Sequence, residues 1–486
     1  MAGKHSNYLQ QGSGARVDYG LSKRWELWVQ LLTGMGWIAT GGDEGLLAFL
    51  LAAIPGGLLV TGGGASLLFP GEPGSTRVAA LGAGIGVVYA VAMLLFEPAS
   101  ALLLGGGSVL SFIAAGRLAA EDAEVPPPLE RPELTAATAA EVAVDETVLG
   151  LVGMVMGVFN QGDQERVGRE VAVALDWLED FDPDGSPERW HLAPDVPAEP
   201  SIGRRNSRGL DWEEFSFDSA FEPVAGVPGR DRYLEYHANR RAYAWVLRRP
   251  GNHRWLVCIH GLGMGHPALD MRLLDARHYF EDLGLNVLMP LLPFHGPRRL
   301  GKISGHGYVI GDVLNTLHAQ TQAMWDIRRL LNWIRADGAE SLGVLGMSLG
   351  GYTSALLAGL EEQLDCVVAA IPAVALNELG DYHASPRATR RANAAGLTVD
   401  RLERVLRPVS PLAVAPKVPK DRRFIYGGLL DRFVPPEQVL KLWHHWDQPA
   451  IAWYPGAHLT FSRHPEIRRF VDRGLADSGV LAGPPG

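Results

Sequence analysis

Three apolar runs dominate the first quarter of the chain: Gly45–Gly71, Val78–Phe96 and Pro98–Gly116. Strictly between Glu44 and Arg117 the charged residues are Glu72, Arg77 and Glu97. Each run is close to the roughly 20 residues that carry an α-helix across hydrocarbon. The pattern therefore predicts transmembrane helices over 45–117, after an N-terminal cytoplasmic or interfacial segment over 1–44. Pro55-Gly56-Gly57 falls inside the first run, where it can kink the helix or split it into a hairpin. Glu97-Pro98 leaves almost no linker between the second and third runs. Two or three crossings are both compatible with this pattern. Gly82 and Gly86 have the small-xxx-small spacing that lets helices approach closely.

From about Asn206 the period changes. Trp212–Phe217 and Arg241–Leu247 read as antiparallel strands. Trp255–Ile259, Asn286–Leu291, Leu342–Leu345, Cys366–Ile371, Phe424–Tyr426 and Ile451–Trp453 are short apolar strands, several of them separated by helical patterns such as Thr316–Arg335 and Leu349–Leu360. Alternating β and α units with short links predict an α/β domain over 206–477, with a mostly parallel sheet covered by helices on both faces. An insertion at about 373–422, rich in arginine (Arg387, Arg390, Arg391, Arg401, Arg404, Arg407), has the position of a lid. Residues 478–486 are expected to be a flexible tail. Between the two regions, 118–205 reads as an acidic, proline-rich linker with one or two amphipathic helices over Val148 to Phe181. The expected role of this stretch is a spacer and cap without chemistry.

Charge sharpens this division. From Glu121 to Pro200 there are 19 Asp and Glu against 4 Lys and Arg, while the whole chain carries −10. The acidity thus belongs to one segment, and no basic stripe with interleaved aromatics points to nucleic acid. Lys4, Arg16, Lys23 and Arg24 ahead of the first run favour a cytoplasmic N-terminus. Two crossings would return the α/β domain to that side, and three would export it. Trp25, Trp28 and Trp37 are candidates for an interfacial aromatic belt. The two cysteines, Cys258 and Cys366, lie in apolar strands and are expected as buried small hydrophobes rather than a disulfide.

Gly346-Met347-Ser348-Leu349-Gly350 stands where a strand meets a helix. Flanking glycines there permit a strained turn that lifts a serine hydroxyl above the sheet edge. A hydroxyl needs a base to take its proton, and the base needs a third group to fix its tautomer. Asp431 follows the strand Phe424–Tyr426, and His458 follows Ile451–Trp453, so the order is Ser, Asp, His. His464 competes as base but lies at a helix start. For the oxyanion, the backbone N–H groups of Leu349 and Leu262 are the candidates, the latter in the turn His260-Gly261-Leu262-Gly263. His260 is expected to be structural, and Pro293–Pro297 to wall the mouth of the site.

These features resemble the α/β-hydrolase superfamily, in its esterase, lipase and serine-peptidase branches, over about Asn206–Leu475. The resemblance implies acyl transfer through an acyl-serine, with catalytic residues Ser348, Asp431 and His458, no cofactor and no metal. A membrane-anchored hydrolase of carboxylic esters, with a small-molecule or lipid ester as partner, is the leading expectation. A peptidase, an acyltransferase or a silent membrane-tethered scaffold stay open.

Overall fold

A computed structural model of the chain describes residues 24–42, 45–159, 164–182, 186–207, 209–309 and 312–481. Two compact units divide it. One holds the residues up to Asp122 together with Glu146–Gly150; the other holds Ala123–Asp145 and Leu151–Gly486.

In the first unit, helices α1 (Trp25–Gly42), α2 (Leu46–Leu68), α3 (Pro73–Met93) and α4 (Pro98–Asp122) pack in succession, with α1 also against α4. The last three are each long and apolar enough to cross a membrane. Although Pro55 lacks the N–H its position would use, α2 runs through it unbroken and is not a hairpin. The spacing of Gly82 and Gly86 serves close approach. A Cβ at Gly82 would lie 2.7 Å from Leu58 Cβ, and one at Gly86 2.5 Å from Ser108 Oγ. Much of the outer surface is apolar, with Leu95 85% and Leu103 77% exposed.

Helix α1 occupies part of the stretch expected as a cytoplasmic or interfacial segment. Residues 1–23 and 43–44, including Lys4, Arg16 and Lys23, lie outside the described residues. Trp25 and Trp28 are about half exposed, but Trp37 is unavailable to an interfacial belt. It is fully buried, donates Nε1–H to Ser108 Oγ at 3.0 Å and stacks on Tyr89. A buried indole needs such an acceptor.

The second unit begins with parts of helix α5 (Ala136–Phe159) and with α6 (Gln164–Phe181). Among the described residues two long linker helices stand here, and the first starts earlier than its apolar pattern suggested. Among the described residues nine strands follow: β1 (Ser201–Ser207), β2 (Leu210–Asp218), β3 (Arg241–Leu247), β4 (Arg254–Ile259), β5 (Asn286–Pro290), β6 (Ser341–Met347), β7 (Cys366–Ala370), β8 (Arg423–Gly428) and β9 (Ala450–Tyr454). They form one sheet in the order β1-β2-β3-β5-β4-β6-β7-β8-β9. The pairs from β1 to β5 are antiparallel and the rest are parallel. Strand β1 escapes the sequence pattern because it is polar (SIGRRNS). An edge strand tolerates charge that a central one would not.

Helices cover both faces. Among them are α7 (Val313–Ala336), whose Asp312 cap accepts from Leu314 and Asn315 N–H, and α8 (Leu349–Leu360), buried throughout. One core layer holds Phe215, Val257, Val344 and Leu356; the other holds Trp245, Leu256, Leu345 and Val368. Both cysteines are buried and free. The insertion between β7 and β8 forms three short helices, α9 (Leu376–His383), α10 (Pro386–Ala394) and α11 (Val399–Leu406). Helix α12 (Pro436–His445) and the C-terminal α13 (Pro465–Asp477) complete the unit. The expected tail is packed as far as it is described: Val480 is fully buried and its carbonyl accepts from Ser341 Oγ, whereas 482–486 lie outside the described residues.

Candidate active site

Strand β6 is buried along its whole length and delivers Ser348 at its C-terminal end. Ser348 has φ 58° and ψ −114°, a left-handed conformation that a non-glycine residue adopts only under constraint. Its N–H donates to Ala370 O at 2.9 Å. The glycines around it are sterically required. A Cβ at Gly346 would overlap the Gly350 carbonyl, and one at Gly350 would overlap the Ile259 carbonyl. Gly351 lies so close to β7 that a Cβ would stand 2.8 Å from Ala370 O. Leu349 N–H opens α8, among the first N–H groups that have no partner within a helix and that favour negative charge.

Two strands away, β8 leads through Leu429 and Leu430 to Asp431. This loop is tied to the one after β9. Leu429 N–H donates to Tyr454 O at 2.9 Å, and Leu430 N–H to Gly456 O at 3.1 Å. Asp431 is buried, and its Oδ1 accepts the N–H groups of Phe433 (2.9 Å) and Val434 (2.7 Å). Its Oδ2 accepts His458 Nδ1–H at 2.6 Å. Phe433 stacks on the imidazole with centroids 5.1 Å apart. The arrangement fixes the tautomer, leaving Nε2 as the basic nitrogen. Burial pulls the His458 pKa down, but the Asp431 charge, its hydrogen bond and the Asp145 charge outweigh it, and the net shift is upward.

The structure thus joins Asp431 directly to His458. Ser348 emerges at the same edge, because β6, β8 and β9 run parallel. Among the described residues no hydrogen bond links Ser348 Oγ to His458 Nε2. His464, the competing base, has its ring engaged elsewhere: Nε2 meets Glu141 Oε2 at 3.1 Å and Nδ1 meets Glu466 at 3.3 Å.

The turn after β4 abuts the sharp strand-to-helix turn at Ser348, the elbow. A Cβ at Gly261 would be 3.4 Å from Ser348 Cβ. His260 is structural: it is buried, accepts Leu292 N–H at Nε2 (3.1 Å) and donates Nδ1–H to Gly261 O (2.8 Å). Burial lowers its pKa. Leu262 lies in this turn, 39% exposed. Phe294 and His295, expected to wall the mouth, are fully buried, with His295 edge-on to His260. They support the turn from within instead.

Sequence reasoning missed two groups altogether, both on α5. Asp145 is fully buried. Its Oδ2 accepts Arg432 N–H (3.1 Å) and His458 N–H (2.8 Å), and its Oδ1 accepts Leu459 N–H (3.0 Å). Burial and the nearby Asp431 charge push its pKa up from 3.8 to about 7, against the lowering effects of His458 and the Leu459 and His458 N–H groups. One turn earlier, Glu141 Oε2 accepts Thr460 Oγ1–H at 2.8 Å and meets His464. A Cβ at Gly456 would press on both His464 Nε2 and Glu141 Oε2. The available signal was a pair of acids four apart on a helix otherwise rich in Ala and Val.

Residues 236–379 match the family model described as alpha/beta hydrolase domain containing 18. The chain is 42% identical over 365 residues to a protein of Mycobacterium tuberculosis, strains CDC 1551 and H37Rv, whose name is only "uncharacterized protein"; the match covers 74% of this chain and 86% of that one. Among solved structures, an acetyl xylan esterase from Paenibacillus sp. R4 aligns at 15% identity and TM-score 0.41, over 65% of this chain and 95% of that one. The Pyrococcus horikoshii acylaminoacyl peptidase aligns at 16% identity and TM-score 0.36, over 60% and 43%.

Proposed function

Because this chain belongs to the α/β-hydrolase superfamily, within one family with the mycobacterial protein, we propose that it is a membrane-anchored serine hydrolase of carboxylic esters, with Ser348, His458 and Asp431 as its catalytic residues. The observation that carries this reading is the 2.6 Å hydrogen bond from His458 Nδ1 to Asp431 Oδ2 at the sheet edge where Ser348 is held at positive φ.

In this reading Nε2 takes the Ser348 proton as Oγ bonds to the acyl carbon. Asp431 stabilises the imidazolium and keeps its orientation. The N–H groups of Leu349 and Leu262 receive the oxyanion. Collapse breaks the ester C–O bond, and the alcohol leaves with the proton from Nε2. Water then adds to the acyl-serine by the same route and releases the acid. This chemistry draws on no cofactor or metal. Helices α2–α4 serve as the membrane anchor, and a lipid ester is the substrate class that such an anchor suits.

The test is fluorophosphonate labelling of the full chain in detergent, with Ser348→Ala beside it. Labelling lost in the variant supports the nucleophile; equal labelling, or none in either, sinks the reading. Turnover of p-nitrophenyl esters against aminoacyl amides then separates esterase from peptidase.

A further inference from the structure

The stretch ahead of the sheet contributes a group to the site that its sequence gave no reason to expect. Three backbone N–H groups from two loops converge on one buried carboxylate, that of Asp145. Arg432 directly follows Asp431, and His458 is the residue whose ring meets Asp431. The same side chain therefore holds both ends of the Asp431–His458 hydrogen bond through their backbones. One helical turn earlier, Glu141 meets the side chains of Thr460 and His464, both beyond β9. An acid four positions from another on a helix points the same way, so both reach the loop after β9 from a single face.

We infer that Asp145 is a positioning residue for this site: its carboxyl group fixes the loop carrying Asp431 and the loop carrying His458 in one mutual geometry. The inference rests on the proposed serine mechanism. Asp145 reaches backbone atoms and not the reacting ones, so it acts through His458 and Asp431. A misplacement on the order of 1 Å at such a site costs about 100-fold in rate. The titratable groups facing Asp145 are Asp431 beside Arg432 on one loop, His458 on the other and Tyr454 at the end of β9. Of these His458 is the base.

The experiment is fluorophosphonate labelling kinetics on the full chain in detergent, comparing wild type, Asp145→Asn and Ser348→Ala from pH 5 to 9. For Asp145→Asn the expected result is a maximal labelling rate about 10- to 100-fold lower, with the half-saturating probe concentration within about twofold. The acidic limb of its profile also changes shape, because the ionisation of Asp145 near pH 7, which contributes to that limb in the wild type, is gone. A purely structural role would reduce the labelled fraction and leave the limb in place. Unchanged rate and limb in folded Asp145→Asn overturn the inference while the serine reading stands. Absence of wild-type labelling overturns both. Should Asp145→Asn not yield folded protein, Asp145→Ser, which keeps an acceptor oxygen without the charge, is judged by the same two criteria.

Discussion

The carboxylate of Asp145 accepts the backbone N–H of His458 at 2.8 Å, across 313 positions of sequence. A buried carboxylate is expensive unless it is well supplied with donors. Here it has three, and it lies close to a second acid, Asp431. The cost appears as an upward pKa, so the folded state binds a proton more readily than the unfolded one.

That linkage has a definite sign. A carboxyl raised from 3.8 to about 7 in the folded state favours folding at low pH, and this contribution is lost as pH rises from about 4 through 7. The raised His458 pKa acts in the same direction, being present below its ordinary value and lost as pH rises through the folded one. Thermal melts of wild type and Asp145→Asn at pH 5 and 8 should show the wild type gaining relative to the variant at pH 5. A constant difference would contradict the raised value.

Replacing Asp431 by Asn tests the orientation of the imidazole. The amide cannot accept from Nδ1–H, Phe433 N–H and Val434 N–H together as the carboxylate does. The expected fall in fluorophosphonate labelling rate is about 10³- to 10⁴-fold. A loss under tenfold would remove Asp431 from its proposed role.

The elbow makes a prediction about stability. Gly350→Ala drives a Cβ into the Ile259 carbonyl, whereas Gly380, in α9, has open space around it. Gly350→Ala should cost at least about 1–3 kcal/mol, the usual range for overpacking. Gly380→Ala should be neutral or gain about 0.5–1 kcal/mol from helix propensity. Denaturant or thermal unfolding reads both.

The insertion helix α10 buries no residue, and Arg387, Arg390 and Arg391 are exposed on it. If this face meets anionic lipid headgroups, each arginine contributes about 1 kcal/mol near the surface. The double variant Arg390→Glu, Arg391→Glu should then lose tenfold or more in turnover of an ester presented in phosphatidylserine vesicles, and keep its rate on a soluble p-nitrophenyl ester. Equal rates on vesicles would dismiss the role.

The central strands were legible because burial on both faces leaves short uninterrupted apolar runs. Trp255–Ile259 is observed as Arg254–Ile259, and Cys366–Ile371 as Cys366–Ala370. The elbow was legible because glycine is forced at Gly346 and Gly350 by contacts with backbone, and backbone contacts leave a compositional trace. Strand β1 was not, since its pairing with β2 is made by main chain and its side chains face solvent at an edge. Trp37 looked like an interfacial ring because nothing local announces Ser108 as its partner. Asp145 and Glu141 were hidden for a similar reason. Their partners are main-chain N–H groups and a few polar side chains more than 280 residues on, and an acid in an acidic stretch looks solvated by default.

Placing Asp145 ahead of the sheet bears on how this protein can be shortened. A fragment starting at Ser201 would retain Ser348, His458 and Asp431, and would still satisfy any motif search for an intact hydrolase. It would have discarded the side chain to which three N–H groups of the loops carrying Asp431 and His458 are bound. Trimming for soluble expression must therefore begin upstream of Ala136, and a weakly active fragment cut later would say more about the missing helix than about the enzyme.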